Sequence, residues 1–576
     1  MKEEKELKPV IKQIRELHRQ RKEIFSLSPE KALDAILDSP QPAALVHSFP
    51  EQDLYFLMHE IGIKDSIPIL SLASDKQWEF ILDLEIWERD RMSTGAVTRW
   101  LDLLFKVDPN RFIKWFLQQK TDVVGFHLFK NLEIRIREHD QDPSVFGEEF
   151  FTFDDIFYIR VVDYPFDKKP DAGSKKLNEN FLPEFLKHLA DYDHFTYQRV
   201  LIETPTFIPA EYEEEAYRMR NVRLVEKGFL PFEEAVGVYQ PLTPRELSDQ
   251  HSRYTPENTD RSPPAPAPLY PLTTLGEDSL FTRALKRIES DDLLQQIQTE
   301  FAALANQIIV ADQKRVRSIG ELGSIVKKAC GYISIGLERL MGEHREPEVH
   351  LTAALVQKFM LSQIFRVGFG SALELKWRAE KWRKESWFES QGLPLNFWAE
   401  KWLGVLGGLL IKKPMFYDDN QVDELYRDFI SMDDIRTTEN YLKEIIEIDH
   451  LFSLMTLKVD PISDGLLTYK NLVLTLWARH HLGLADELLP LTLDELKLFF
   501  GDLWTGKDKP RKTRQSMKES FLKWLSDKTD LDGYEISQRL GQTLENLFNE
   551  MENEYGEVSR KDLDPKYIYL FLLEKC

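Results

Sequence analysis

The sequence predicts an all-α protein: a superhelical array of short helices at the N-terminus, a larger helical lobe at the C-terminus, and minor β structure near 150–162. Two observations predict it. Helix-start signals recur along the first quarter, at Ser28-Pro29-Glu30, Phe49-Pro50-Glu51 and Asp108-Pro109-Asn110, each opening a short apolar run. After Pro50, Leu54, Leu57, Met58 and Ile61 fall at i, i+3, i+4 and i+7, one stripe of an amphipathic helix. Proline suits a first turn, where its missing N–H would have no partner, and Ser28 or Asp108 can cap the freed amides. The second observation is that helical periodicity returns over 279–312, 318–342, 350–385 and 396–411. Short helices in series, none wide enough to enclose a pocket, form a stacked array whose usual product is a binding surface.

Element by element, residues 1–25 carry Leu7, Ile11, Ile14, Leu17 and Ile24 among Lys, Arg and Glu, an amphipathic helix able to dock. Residues 26–165 form the helical-repeat-like domain. Its helices run to about 135, with Trp78, Trp87, Trp100 and Trp115 as core filling, and the aromatic and β-branched run 150–162 reads as a short strand. Phe153-Asp-Asp-Ile156 and Phe232-Glu-Glu-Ala235 hint at an internal duplication. Lys168–Asn180 reads as a polar loop, and 181–240 as a helical extension of the first lobe. Eight of the 29 prolines fall between Pro241 and Pro271, so 241–278 is expected to be a flexible linker between lobes. A helical bundle over 279–412 and a C-terminal helical domain over 413–576 follow.

Composition narrows the function. The 576 residues exceed what one core serves, and 42% hydrophobic residues supply the area to fold them. The net charge of -22 disfavours unspecific attraction to nucleic acid or anionic lipid. The two cysteines, Cys330 and Cys576, are far apart, and Cys330 lies on an apolar stripe with Val326, Ala329, Ile333 and Leu337, as a structural thiol would. Met1–Lys8 is charged and shows no secretory signal, and Leu403–Ile411 is about half the length a membrane span needs. A cytoplasmic protein is the expectation.

Catalytic and cofactor motifs are incomplete. Gly501-Asp-Leu-Trp-Thr-Gly506-Lys507-Asp508 has phosphate-loop spacing, but Asp508 stands where Ser or Thr would hold Mg²⁺. The Asp460–Gly465 and Asp530–Gly533 turns lack the twelfth-position Glu of a calcium loop. Gly368-Phe-Gly370 lacks the third glycine of a dinucleotide fingerprint and follows a helix rather than a strand. His480 continues the apolar stripe of Val473, Leu476 and Trp477 and reads as packed. Glu447-Ile-Asp-His450 has di-iron spacing but no second copy, leaving Glu447 and His450 as weak metal candidates. No cofactor is expected. The densest unusual segment is 374–413, where Trp377, Trp382, Trp387, Trp398 and Trp402 alternate with cations and Glu. Core packing is the leading reading of these tryptophans, with membrane or nucleic-acid contact behind it; as interaction candidates they point to protein partners.

Trp78-Glu-Phe-Ile-Leu-Asp83-Leu-Glu-Ile-Trp87-Glu-Arg-Asp90-Arg, Gly228-Phe-Leu-Pro-Phe-Glu-Glu-Ala-Val-Gly-Val-Tyr239 and Glu374-Leu-Lys-Trp377-Arg resemble a bacterial family catalogued as domain of unknown function 6178. The resemblance covers most of the chain and implies no activity and no catalytic residue. Through Ala44-Leu-Val-His-Ser-Phe-Pro50-Glu-Gln-Asp53-Leu, the first 120 residues are distantly similar to the N-terminal helical superhelix of MgtE-type magnesium transporters. That similarity implies a packing scheme and not transport. The sequence therefore points to a cytosolic helical scaffold or protein-interaction protein. The alternatives are an enzyme with a carboxylate/His site assembled from scattered residues, or a peripheral membrane component docking through 374–411.

Overall fold

The computed structural model describes residues 13, 16–119, 121–162, 172–204, 208–249, 253, 267–273, 275, 279–342, 348–419, 425–457, 459, 467–506 and 509–574. Helix dominates, as expected. Among the described residues, strand is confined to four two-stranded antiparallel ribbons and two isolated bridges, and no helix is long and apolar enough to cross a membrane. The chain divides into two compact units.

The first unit comprises Met1–Gln240, Gln250–Cys330 and Pro347–Gln363. It opens with α1 (Pro29–Leu37), α2 (Pro42–Ser48), α3 (Glu51–Ile61), α4 (Ile67–Leu72), α5 (Asp75–Glu85), α6 (Thr94–Val107), α7 (Pro109–Gln119) and α8 (Thr121–Asn131). Proline starts α1 and α7 as predicted, Pro42 also starts α2, and Pro50 is the residue just before α3. Asp108 caps α7 by accepting from the Arg111 N–H at 3.0 Å, whereas the Ser28 side chain makes no cap bond. Trp78, Trp87, Trp100 and Trp115 are all buried. Trp78 donates to the Leu70 carbonyl at 2.9 Å, lies edge-on to Trp115 and carries the Arg111 guanidinium 4.0 Å over its face.

Helix gives way to strand at Leu132, not near 135. The alternating Leu-Glu-Ile-Arg-Ile of β3 (Leu132–Ile136) pairs antiparallel with β4 (Phe157–Val161), the strand predicted within 150–162. Glu133 sits opposite Arg160 and forms an ion pair with it. The short ribbon of β1 (Trp87–Glu88) and β2 (Arg91–Met92) precedes it. The predicted loop at 168–180 is corrected from Ala172 onward, because α9 spans Ala172–Tyr192; Lys168–Pro170 lie outside the described residues. Its run of Phe181, Leu182, Phe185, Leu186 and Leu189 is buried, which holds the helix through Pro183. Then come α10 (His194–Glu203) and α11 (Pro209–Val225). The proposed duplication does not hold in structure, since 153–156 is a bend and Phe232–Ala235 a helical turn.

Residues on both sides of the proline-rich stretch belong to this unit. Wholly buried Asp53 accepts from the Leu269 N–H at 2.9 Å and the Tyr270 N–H at 3.2 Å. Gln52 and Asn306, on α12 (Asp291–Ala311), exchange amide hydrogen bonds of 2.8 and 3.1 Å. Of the predicted linker, Pro244–Ser248 and Tyr270–Thr273 are helical, and 250–252, 254–266, 274 and 276–278 lie outside the described residues. Of the predicted N-terminal helix, 16–24 is helical; Leu7, Ile11 and Ile14 lie outside the described residues.

The second unit comprises Pro241–Asp249, Gly331–Glu346 and Ile364–Cys576. Two long helices have only part of their length here, α13 (Ile319–Met341) and α14 (Leu361–Glu385). After them come α15 (Ala399–Leu410), α16 (Met432–Leu454), α17 (Tyr469–His481), α18 (Leu493–Leu503), α19 (Gln515–Thr529) and α20 (Gly533–Tyr555). Two ribbons interrupt the helices: β5 (Phe416–Tyr417) with β6 (Tyr426–Arg427), and β7 (Trp504–Thr505) with β8 (Lys512–Thr513). Gly501 lies inside α18, and Lys507, Asp508 and 460–466 fall outside the described residues. His480 is exposed at the end of α17, not packed as expected, because the helix terminates one residue later.

Cys330 is a free buried thiol, and burial pushes its pKa above the usual thiol range. His127 on α8 is likewise fully buried, and burial lowers its pKa to about 4 against the opposing pull of the nearby Asn178. A depressed histidine pKa stabilises the fold above pH ~6.5, and that contribution is lost as pH falls toward 4. His127→Gln should therefore show a smaller loss of stability than wild type between pH 7 and pH 4.5, measured as the urea midpoint at each pH.

Candidate functional site: an arginine-lined cleft

The second unit contains a cleft of about 500 Å³ between α13, α14 and α16. Glycine sets its geometry. A Cβ on Gly336 of α13 would stand 2.1 Å from the Ile364 carbonyl oxygen, and one on Gly368 of α14 would stand 1.9 Å from that of Tyr332. Only hydrogen fits at both points, so the two backbones cross in contact, with Tyr332 edge-on to Phe365 and Phe369. Gly331 meets the chain entering α16, where a Cβ would lie 2.6 Å from the Ile430 Cα. The residues that resembled a broken dinucleotide fingerprint are thus packing devices: Gly368 at the crossing, Gly370 against Pro241.

The start of α16 is pinned separately. Ser431 and Asp434 form a capping box. The Arg427 guanidinium reaches both Asp434 oxygens at 2.7 and 2.8 Å and Asp418 at 2.7 Å, over the face of Phe416. Asp434 also accepts from the Ile430 and Ser431 N–H groups.

One turn beyond the crossing the helices diverge and side chains fill the gap. α13 contributes Arg339; α14 contributes Ser371, Glu374, Leu375 and Arg378; α16 contributes Met432, Ile435, Arg436 and Glu439. On α14 and α16 these positions follow i, i+3, i+4 and i+7, one face over two turns. Leu375, Met432 and Ile435 are buried and form the floor. Each arginine is steadied by a carboxylate: Arg339 by Glu374 at 3.2 Å, Arg378 by Glu439 at 2.9 Å, Arg436 by Asp433 at 3.1 Å. The cleft thus offers three permanently charged planar donors. Among the described residues lining it, Ser371 supplies the one hydroxyl and bonds to the Val367 carbonyl of its own helix, and there is neither His nor Cys. The arrangement presents charged donors suited to recognition.

The tryptophan segment separates into two parts. Trp382, Trp387, Trp398 and Trp402 are buried in an aromatic core with Phe388, Phe397, Phe452 and Tyr469. Asp449 ties that core to α16, accepting from the Phe388 N–H at 2.9 Å and from the Trp382 indole and Trp387 N–H at 3.2 Å. Trp377 is 48% exposed and lies on α14 beside Arg378. Glu447 sits 3.6 Å from Arg539, and His450 is exposed on the same helix. Among the described residues no group of three His, Cys, Asp or Glu side chains could hold a metal ion.

A titratable cluster in the first unit bears on the enzyme alternative. Glu85 accepts from the Tyr55 hydroxyl at 2.8 Å and from Arg317 at 2.8 and 3.1 Å, with His59 3.3 Å away. Burial pushes Glu85 up, but His59, Tyr55 and Arg317 together hold it down at about 2. A carboxylate so tightly held is a poor base at neutral pH.

Sequence reasoning included Arg378 among the cations of the tryptophan segment but missed Arg339, Arg436 and the cleft. The available signals were the Gly331-x₄-Gly336 spacing and the matching two-turn patterns of 371–378 and 432–439.

A family model described as Family of unknown function (DUF6178) matches residues 10–574. No curated protein and no solved structure matches the chain. These comparisons give no support to the MgtE-type similarity of the first 120 residues.

Glycine substitutions provide the test of the crossing. Gly368→Ala should destabilise the protein by about 1–3 kcal/mol through overpacking. Gly541→Ala, on α20 with nothing within 4 Å of its added Cβ, should stabilise by up to about 1 kcal/mol through helix propensity. Urea unfolding of the two variants checks the opposite signs.

Proposed function

We propose, on the premise that the chain belongs to the family of unknown function DUF6178, that it is a cytoplasmic helical interaction protein that docks a partner protein in the arginine-lined cleft. The observation that carries this reading is the cleft itself, an open recess whose walls present steadied cations and no reactive pair. Clefts between helices with a few convergent polar groups are common binding sites. The inward packing of four of the five tryptophans removes the main support for membrane docking through 374–411. The locked state of Glu85 argues against the strongest carboxylate/His cluster as an active site. Only two cysteines in 576 residues, with Cys330 a free thiol, favour a reducing compartment.

Photo-crosslinking in cells tests the docking reading. A photoreactive residue replacing Glu439 on the cleft rim should give discrete protein adducts, absent when it replaces the exposed Lys523 of α19. Equal adducts from both positions, or none from the cleft, would remove the reading.

A further inference from the structure

Independently of the cleft, we infer that the open edge of β3 pairs with the same edge of a second copy of this chain, antiparallel about a two-fold axis at Ile134, joining two ribbons into one four-stranded sheet. The hydrogen bonds of the ribbon fix which groups lie on that edge. The Arg137 N–H donates to the Ile156 carbonyl at 2.9 Å and the Val162 N–H to the Asn131 carbonyl at 2.8 Å. Antiparallel pairing alternates, so Glu133 and Arg135 turn their backbone groups toward β4, while Ile134 and Ile136 turn theirs away. β4 obeys the same alternation: Ile159, opposite Ile134, faces outward and exchanges both backbone bonds with Phe151, at 2.8 and 2.9 Å. One edge of the ribbon is therefore covered and the other open. Among the described residues nothing hydrogen-bonds to the backbone of Ile134 or Ile136 on the open side.

An open edge is a template for another strand, and chains that keep such an edge solitary blunt it with proline, a bulge or unmatched charge. β3 has neither proline nor bulge, its register runs unbroken from Leu132 to Ile136, and its two charges are of opposite sign. Along one face Leu132 is buried, Ile134 half-buried and Ile136 57% exposed, an apolar strip that runs out into solvent at the edge.

The sequence Leu-Glu-Ile-Arg-Ile is complementary to itself, and that points to a second copy as the occupant. A two-fold axis at Ile134 sets Ile134 against Ile134, Leu132 against Ile136 and Glu133 against Arg135, with the two strands overlapping over their whole length. The apolar residues then form the hydrogen-bonded pairs, and each Glu133–Arg135 pair falls at a non-hydrogen-bonded site, where side chains stand closest. Glu133 already meets Arg135 of its own strand and Arg160 of β4, so the charges act chiefly on register. Moving the axis by one residue either way would set Glu133 against Glu133 or Arg135 against Arg135, which like-charge repulsion disfavours.

Sedimentation velocity of the full-length protein tests the pairing. The chain should pass from monomer to dimer as its concentration rises toward about 100 µM. Proline suits position 134, because the Ile134 N–H faces away from β4 and its loss leaves the ladder within the ribbon whole. Ile134→Pro removes a bond on each side of the axis and should raise the dimer dissociation constant at least about tenfold. Arg135→Glu, which sets Glu against Glu twice, should raise it severalfold. Ile136→Lys, at an exposed position, gives the same test should the proline variant not fold. A photoreactive residue replacing Ile136 should form intermolecular cross-links that map to residues around Leu132 of a second copy. A monomer at every concentration, a dimer indifferent to all three substitutions, or intermolecular cross-links that run to a different protein or to another part of the chain overturns the assignment.

Discussion

Contact between two backbones at Gly336 and Gly368 is the constraint on which the second unit depends. A methyl at either position would collide with a carbonyl oxygen that is itself part of a helical hydrogen-bond ladder and cannot retreat. With both side chains absent, α13 and α14 meet backbone to backbone, Gly368 against Tyr332 and Gly336 against Ile364. The recess lies one turn later, where Arg339 and Glu374 meet across it. Gly331 applies the same device to the entry of α16. Three glycines thus fix three walls.

The charged layer is a consequence of that frame. Arginines that rim an open recess keep much of their hydration, so their pairing with Glu374, Glu439 and Asp433 adds little stability, as exposed ion pairs do. What the pairs supply is orientation. The heavier electrostatic work lies elsewhere, at Arg427 with Asp418 and Asp434 and at Asp449 beneath the tryptophan core, where partly buried carboxylates are met by several donors each. Those groups place helices; the cleft arginines line the recess.

The first unit shows the same division. Asp53, Glu85 and the Gln52–Asn306 pair are buried or nearly so and saturated with donors, and each joins segments distant in sequence. Their donors make them good clasps, but the two carboxylates differ in proton affinity: against burial, His59, Tyr55 and Arg317 hold Glu85 down at about 2, whereas burial pushes Asp53 up to about 7 against the Leu269 and Tyr270 N–H groups. The helical array they brace carries its bulky aromatic residues inward, with Trp78 and Trp115 in edge contact at its centre.

By itself the sequence determined the helical class, the proline-initiated helices of the first quarter, the strand inside 150–162 and the inward packing of Trp78, Trp87, Trp100 and Trp115, because periodicity, first-turn proline and aromatic burial are local properties of the chain. It led astray at 172–180, where polar residues read as a loop although a buried phenylalanine and leucine face a few residues on sustains a helix, and at His480, where the stripe was extended into the exposed last turn of α17. Only the tertiary structure decided which tryptophans are core and that Trp377 alone among the five is half-exposed. It also brought Arg339, Arg378 and Arg436 together from helices nearly a hundred residues apart. No spacing rule reaches across such separations: the cleft exists where helices cross, and the crossing is set by the absence of side chains at glycines whose partners lie elsewhere in the chain.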